Sequence, residues 1–338
     1  MNSWLGFSLV VVGGVMQGTF FLGLKYVNPW KWENIWAVFS ALSLLVLPIG
    51  LAVATVPHIG EVFARTPGST LWVVVLYGAG WGIGGVLSGL GVARMGMAMG
   101  VAVLLGVTAA VGTFVPLVAN NPEMAFTKKG LVVILSVLTL LLGVGLVAVA
   151  GKKRDASLAG GSNSVQQGKF GVGLAICIFS GIFSAMLNLA FAFSQPMVNA
   201  GTEIGASQFG AMNAVWMAAL AGGFVANGLY TGYLLTRNRT WAYFTLPGTG
   251  RFWGYGLGMA VLWTGGVVLY GRGAAFMGQV GAVMGWPLFM ATIILISTVC
   301  GFLTGEWKGS SAQAKKYMLL GLVVLMVASG LVGLANRM

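Results

Sequence analysis

Glu33, Trp36 and Ser40 fall at helical spacing in WKWENIWAVFS, so the three can share one face of a helix. A carboxylate, an indole and a hydroxyl on one face can line a cavity that carries a proton or holds a ligand. The chain has only six acids, Glu33, Glu61, Glu123, Asp155, Glu203 and Glu306, and none lies in the middle of an apolar run. Glu33 opens such a run, and two readings stay open for it. One is a coupling or substrate-contact carboxylate, since an ionisable group at a membrane span is a functional hypothesis by default. The other is an interfacial anchor, since an acid suits a helix N-terminus and Trp belongs to the aromatic belt.

The neutral polar groups within apolar runs are Gln17, Asn188, Gln208, Asn213 and Gln279. Amides in hydrocarbon must find partners, either in neighbouring helices or in a ligand. The aromatic residues Trp36, Trp81, Trp216, Trp263, Tyr270 and Trp286 accompany them. Amides can bond hydroxyls, and an indole can cover the apolar C–H face of a sugar. An anionic substrate would call for an inward Arg or Lys, and a cationic one for a mid-span carboxylate. Neither is evident, so the pattern favours a small neutral substrate. Gln17, Trp36, Trp81, Asn188, Gln208, Asn213, Trp263, Tyr270 and Gln279 are the candidate substrate contacts. One histidine and two distant cysteines, Cys177 and Cys300, offer no usual metal site. No nucleophile–base constellation points to an enzyme, and no cofactor is expected.

The elements that must position these groups are membrane spans. Of 338 residues, 58% are hydrophobic and 7% charged, against about 25% charged in soluble domains. Ten spans are predicted, at roughly 4–25, 34–56, 71–93, 96–118, 130–150, 170–193, 208–235, 252–271, 276–303 and 316–335. The N-terminus has no basic region before its apolar run, so it is expected to be a retained first span and not a cleaved signal. The net charge of +12 comes from bases scattered singly or in twos and threes, with no basic face, so no nucleic-acid partner is expected. Loops 1–2, 3–4, 5–6, 7–8 and 9–10 hold thirteen bases, among them Lys31, Lys152, Lys153, Arg154, Arg237 and Arg239. The other side holds five: Arg65, Lys128, Lys129, Arg272 and Arg337. By the positive-inside rule, the odd loops are cytoplasmic and both termini outside.

An internal repeat organises the spans. Residues 81–101 recur at 263–283 with ten identities at a constant offset of 182: Trp81/Trp263, Gly84/Gly266, Val86/Val268, Leu87/Leu269, Gly89/Gly271, Gly91/Gly273, Ala93/Ala275, Met95/Met277, Gly96/Gly278 and Val101/Val283. A weaker match aligns 13–29 with 180–196 at offset 167 through Gly14/Gly181, Leu22/Leu189 and Pro29/Pro196. The domain division is therefore 1–150, a polar linker at 151–169, and 170–338. Five spans per half is odd, so the second copy must start from the opposite side of the membrane. The expected fold is an all-α membrane protein of ten transmembrane helices in two inverted five-helix repeats, with a site between the halves. The mismatches Ser88/Tyr270 and Met97/Gln279 are where symmetry would be broken for chemistry.

These segments also resemble a known family. Trp32-Glu33 with Lys25 and Trp36, the Trp81-Gly82-Ile83-Gly84 run, Gly106-Val107-Thr108, Ser180-Gly181-Ile182-Phe183-Ser184-Ala185, Pro196-Met197, Trp263 and Glu306-Trp307 resemble, in order, the L-rhamnose–proton symporter family of the drug/metabolite transporter superfamily. The resemblance covers nearly the whole chain. It implies uptake of a monosaccharide driven by proton influx, in a bacterial-type cytoplasmic membrane. It places Glu33 on the family's Trp-Glu pair, as the proton-coupling candidate, and Trp263 on its eighth-span Trp. After Trp263 this chain reads Thr264-Gly265-Gly266, and its ninth span, GQVGAVMGWPLF, carries no acid, so the sugar stays open between rhamnose and a related monosaccharide. An exporter of amino acids or other metabolites on the same fold is the alternative. The partners expected are the sugar and the lipid bilayer, with the oligomeric state undetermined.

Overall fold

The computed structural model describes residues 3–95, 97–158 and 170–338. It contains ten helices long and apolar enough to cross a membrane. They are α1 (Trp4–Leu24), α2 (Trp32–Thr55), α3 (Gly68–Gly91), α4 (Val103–Asn120), α5 (Lys128–Leu158), α6 (Gly171–Glu203), α7 (Gln208–Arg237), α8 (Gly250–Phe276), α9 (Gly281–Leu303) and α10 (Ala312–Arg337). Each contains the centre of a predicted span. α5 runs on through residues 151–158, the first part of the polar stretch expected as linker. Residues 159–169 lie outside the described residues.

Turn chemistry ends the helices where the sequence supplies it. His58, between α2 and α3, has φ 49°, and Gly205, between α6 and α7, has φ 92°. A glycine at the second position avoids the clash that a Cβ meets in that region. Ser207 and Ser311 cap α7 and α10, accepting from the N–H groups of Gly210 and Ala314 at 3.0 and 3.2 Å. Two spans are broken within their length. α2 widens to a π turn at Leu42–Val46, one residue before Leu47-Pro48, because Pro48 has no N–H to give Leu44. α6 is interrupted at 193–194, between helices Phe170–Ala192 and Gln195–Glu203.

The helices pack as two exchanged halves. α1 lies on α8 and α9, and correspondingly α6 lies on α3 and α4; α2 faces α7, and α5 faces α10. The contacts honour both repeat offsets at single residues. A Cβ at Gly84 would lie 2.9 Å from Ser184 Oγ, and one at its equivalent Gly266 would lie 2.6 Å from Cγ of Gln17, the offset-167 equivalent of Ser184. A Cβ at Gly91 would meet Cys177 at 2.6 Å, and one at Gly273 would meet Val10, the equivalent of Cys177, at 2.7 Å. Small residues let these backbones approach, which is how helices associate when lipid removes the hydrophobic driving force. These two equivalent pairs of glycines make the equivalent contacts, which is consistent with two inverted five-helix repeats.

Candidate functional site

The repeat's paired tryptophans meet at the centre. The Trp81 and Trp263 rings have centroids 5.2 Å apart at 34°, although they come from different halves. Residues related by a two-fold operation face one another only beside its axis. Around this pair lies a cavity of about 240 Å³. Its walls include seven repeat-equivalent pairs: Gln17/Ser184, Phe20/Leu187, Trp81/Trp263, Gly85/Val267, Ser88/Tyr270, Leu104/Trp286 and Thr108/Met290. It is smaller than the roughly 300–1,000 Å³ of drug-sized sites, and suits a small solute.

Of the predicted contacts, the cavity gathers Gln17, Trp36, Trp81, Trp263 and Tyr270. Gln17 Nε2 donates to the Trp263 carbonyl at 3.2 Å, tying α1 to α8. Trp36 Nε1 donates to Asn227 Oδ1 at 3.0 Å, tying α2 to α7. The indole N–H groups of Trp81, Trp216 and Trp263 make no hydrogen bond among the described residues. Among the described residues, no Asp, Glu, Lys, Arg or His lines the cavity. The π turn of α2 brings Leu44 into the wall, and Thr264 Oγ1 donates to the Ser43 carbonyl at 3.1 Å.

Three predicted contacts stand elsewhere. Asn188 is fully buried behind the wall: its Nδ2 donates to the Gly112 and Ala282 carbonyls at 2.7 and 3.2 Å, and its Oδ1 accepts from the Tyr270 hydroxyl. Asn213 Nδ2 donates to Thr55 Oγ1 at 2.9 Å, a bond between α7 and the end of α2. Gln208 lines a different cavity. The side chain of Gln279 lies outside the described residues.

Glu33 also leaves the wall that it was expected to share with Trp36 and Ser40. It is buried in the first turn of α2, and its Oε1 accepts from Asn238 Nδ2 at 2.9 Å and Thr240 Oγ1 at 3.0 Å, both just beyond α7. Asn34 Nδ2 reinforces this junction by donating to the Thr240 carbonyl at 2.9 Å, and Trp30 Nε1 donates to the Tyr243 carbonyl at 2.8 Å. Ser40 turns back to donate to the Trp36 carbonyl. Residues 33 and 36 lie only about 60° apart around the helix, so register does not separate them; the loop after α7 covers Glu33, while Trp36, one turn further on, reaches Asn227 and the cavity.

Aromatic rings close the cavity towards the even-numbered loops. Phe191 stacks on Trp216 at 5.6 Å and 7°, and meets Tyr270 edge-on at 5.7 Å. Tyr270 packs on Phe289 at 4.8 Å and edge-on to Trp286 at 5.6 Å. Trp286 fits because position 112 is glycine, where a Cβ would lie 2.2 Å from its Nε1. That nitrogen donates to the Thr108 carbonyl at 3.0 Å.

Asn227, Ser184 and Thr108 were not among the candidate contacts, and Ser184 and Thr108 stood only within segments that carry the family resemblance. Ser184 was findable, because offset 167 pairs it with Gln17. Asn227 carried no such signal, since its role depends on where Trp36 points.

The profile of the family described as L-rhamnose-proton symport protein (RhaT) matches residues 2–337. The chain belongs to this symporter family. An L-rhamnose-proton symporter of Klebsiella pneumoniae subsp. pneumoniae is 28% identical over 332 residues, covering 96% of this chain and 95% of its own. One of Salmonella gallinarum is 26% identical over 340 residues, with the same coverage. The family is one of transporters.

Proposed function

We propose that this symporter imports a small neutral sugar, L-rhamnose or a related monosaccharide, by proton symport with alternating access. The observation that carries the reading is the uncharged cavity built on the Trp81–Trp263 pair, edged by amides and hydroxyls. Indole faces cover the apolar side of a pyranose, while Gln17, Asn227, Ser88 and Ser184 offer bonds to its hydroxyls. An amino acid would find no counter-charge there for its carboxylate or ammonium group, which disfavours the exporter reading.

Glu33 is the proton carrier in this account. Ionised, its carboxylate holds the start of α2 to the loop after α7; hydrogen bonds to charged groups contribute about 1.5–3 kcal/mol. Protonation removes the charge and weakens both bonds. One turn further along the same helix, Trp36 forms the cavity wall and bonds Asn227. The proton and the sugar thus act on one element, α2 against α7, as coupling requires: each must favour the same conformational state. The aromatic partition closes the opposite end. The thirteen-to-five distribution of bases supports cytoplasmic odd loops and both termini outside, in a bacterial-type inner membrane.

The test is the pH of a weakly buffered suspension of cells expressing the protein. Adding L-rhamnose anaerobically is expected to make the medium more alkaline as protons enter with the sugar. Rhamnose uptake without alkalinisation would refute proton coupling. Absence of uptake for rhamnose, fucose and other monosaccharides would refute the sugar.

A further inference from the structure

A second cavity, of about 500 Å³, lies on the even-loop side of the aromatic partition. Phe191 belongs to its wall, while Trp216 and Tyr270, against which Phe191 packs, belong to the central cavity. The two spaces are therefore divided by packed rings, Phe191 facing the outer one and Trp216 and Tyr270 the inner one. The outer wall has its own polar equipment: the Gln208 amide, the Gln195 amide, whose Nε2 donates to Asn199 Oδ1 at 2.8 Å, and the Ser194 hydroxyl, which donates to the Phe191 carbonyl at 2.8 Å, with no ionisable side chain among the described residues. Gln195 and Ser194 stand at the interruption of α6, the kind of helix break that borders solute paths in transporters. The Gln208 amide makes no hydrogen bond among the described residues, and the residue is exposed.

We propose that this vestibule is a second monosaccharide-binding station, at which Phe191, Gln195 and Gln208 capture the sugar before the partition opens. The proposal rests on the reading of the central cavity as a sugar site. The chemistry repeats on both sides of the partition: an aromatic surface for the C–H face, neutral amides for the hydroxyls, and no charge. The outer space has about twice the volume of the inner one, enough to hold a sugar together with part of its hydration water. Capture there lets the solute lose water in two steps, and it gives Gln208 a role that its distance from the central cavity denies it.

The test uses full-length protein carrying Ala275→Cys, in the vestibule wall but outside the proposed contacts, and Cys300→Ser; Cys177 is fully buried. The rate of modification by a membrane-impermeant maleimide is measured with and without saturating L-rhamnose. The expected result is at least threefold slower labelling with sugar, and the same protection when Trp263→Ala is added to disable the central site. Gln17→Leu serves as a second central variant should Trp263→Ala fail to fold. Protection that disappears with the central variants would overturn the station, because it would then come from the central cavity. Unprotected labelling in a protein that still transports rhamnose would also overturn it. A parent that transports no monosaccharide would instead remove the sugar reading beneath the proposal.

Discussion

Asn188 and Tyr270 were both expected to touch substrate, yet only Tyr270 reaches the cavity. Asn188 joins three elements from behind it, donating to carbonyls of α4 and α9 and accepting from Tyr270 of α8. Tyr270→Phe deletes one of these three bonds and leaves Asn188 Oδ1 without its donor. Interhelical polar bonds in membranes average about 0.6 kcal/mol and reach about 1.7, so the variant is expected to lose about that range in stability. Asn188→Leu keeps the volume but removes all three bonds and strands the Gly112 carbonyl, whose helical donor position is Pro116, and the Tyr270 hydroxyl. On the same scale it loses about 2–5 kcal/mol, less whatever the neighbours recover by shifting. Reversible unfolding in mixed detergent micelles reads both losses, and calorimetric titration with rhamnose reads affinity. Tyr270→Phe should bind within threefold of the parent, because the ring stays against Phe289 and Trp286 and its hydroxyl points to Asn188. An affinity loss beyond tenfold at unchanged stability would refute the reasoning, since the hydroxyl would then be serving the sugar.

Four further outcomes follow from the geometry. Gly78→Ala places a Cβ 1.8 Å from the Ala219 carbonyl oxygen and forces α3 from α7, so it should cost at least the 1–3 kcal/mol typical of overpacking, whereas Gly85→Val projects into open space and should keep its thermal midpoint while narrowing the cavity and weakening rhamnose binding in titration. Asn227→Leu frees the Trp36 indole, a bond of about 0.5–1.5 kcal/mol, and also gives up the Nδ2 bond to the Gly223 carbonyl within its own helix; it should raise the transport KM about three- to tenfold with a modest fall in melting temperature. Glu33→Gln retains an acceptor for Asn238 and Thr240 but cannot be charged; it should fold and exchange sugar in counterflow, yet fail to accumulate sugar in response to a proton gradient.

Much of the frame was legible because membrane spans are set by length and hydrophobicity alone. The repeat was legible because close helix approach fixes glycine at particular positions: Gly84 and Gly266 are identical since each must admit the equivalent helix of the other half. The Trp81–Trp263 pair followed from that symmetry. The amides were harder. Hydropathy ranks Gln17, Asn188 and Asn213 alike, but which face each occupies depends on helix rotation within the bundle. One reached the cavity, one braces it from behind and one ties α7 to α2. Glu33 illustrates the same limit. Its spacing to Trp36 was read correctly as helical, while its burial against Asn238 and Thr240 depends on a loop some two hundred residues away. The π turn at Leu42–Val46 left only Pro48 as its trace.

The most direct test of the central claim is accumulation of labelled L-rhamnose in proteoliposomes under an imposed proton gradient, comparing the parent with Trp81→Ala and Trp263→Ala. Removing one indole face is expected to cost about 0.5–1.5 kcal/mol beyond the lost area, a two- to thirteenfold effect at minimum. The account predicts gradient-dependent accumulation by the parent and a comparable loss in both variants, because the two rings are equivalent walls of one site. Undiminished accumulation by either variant would contradict it.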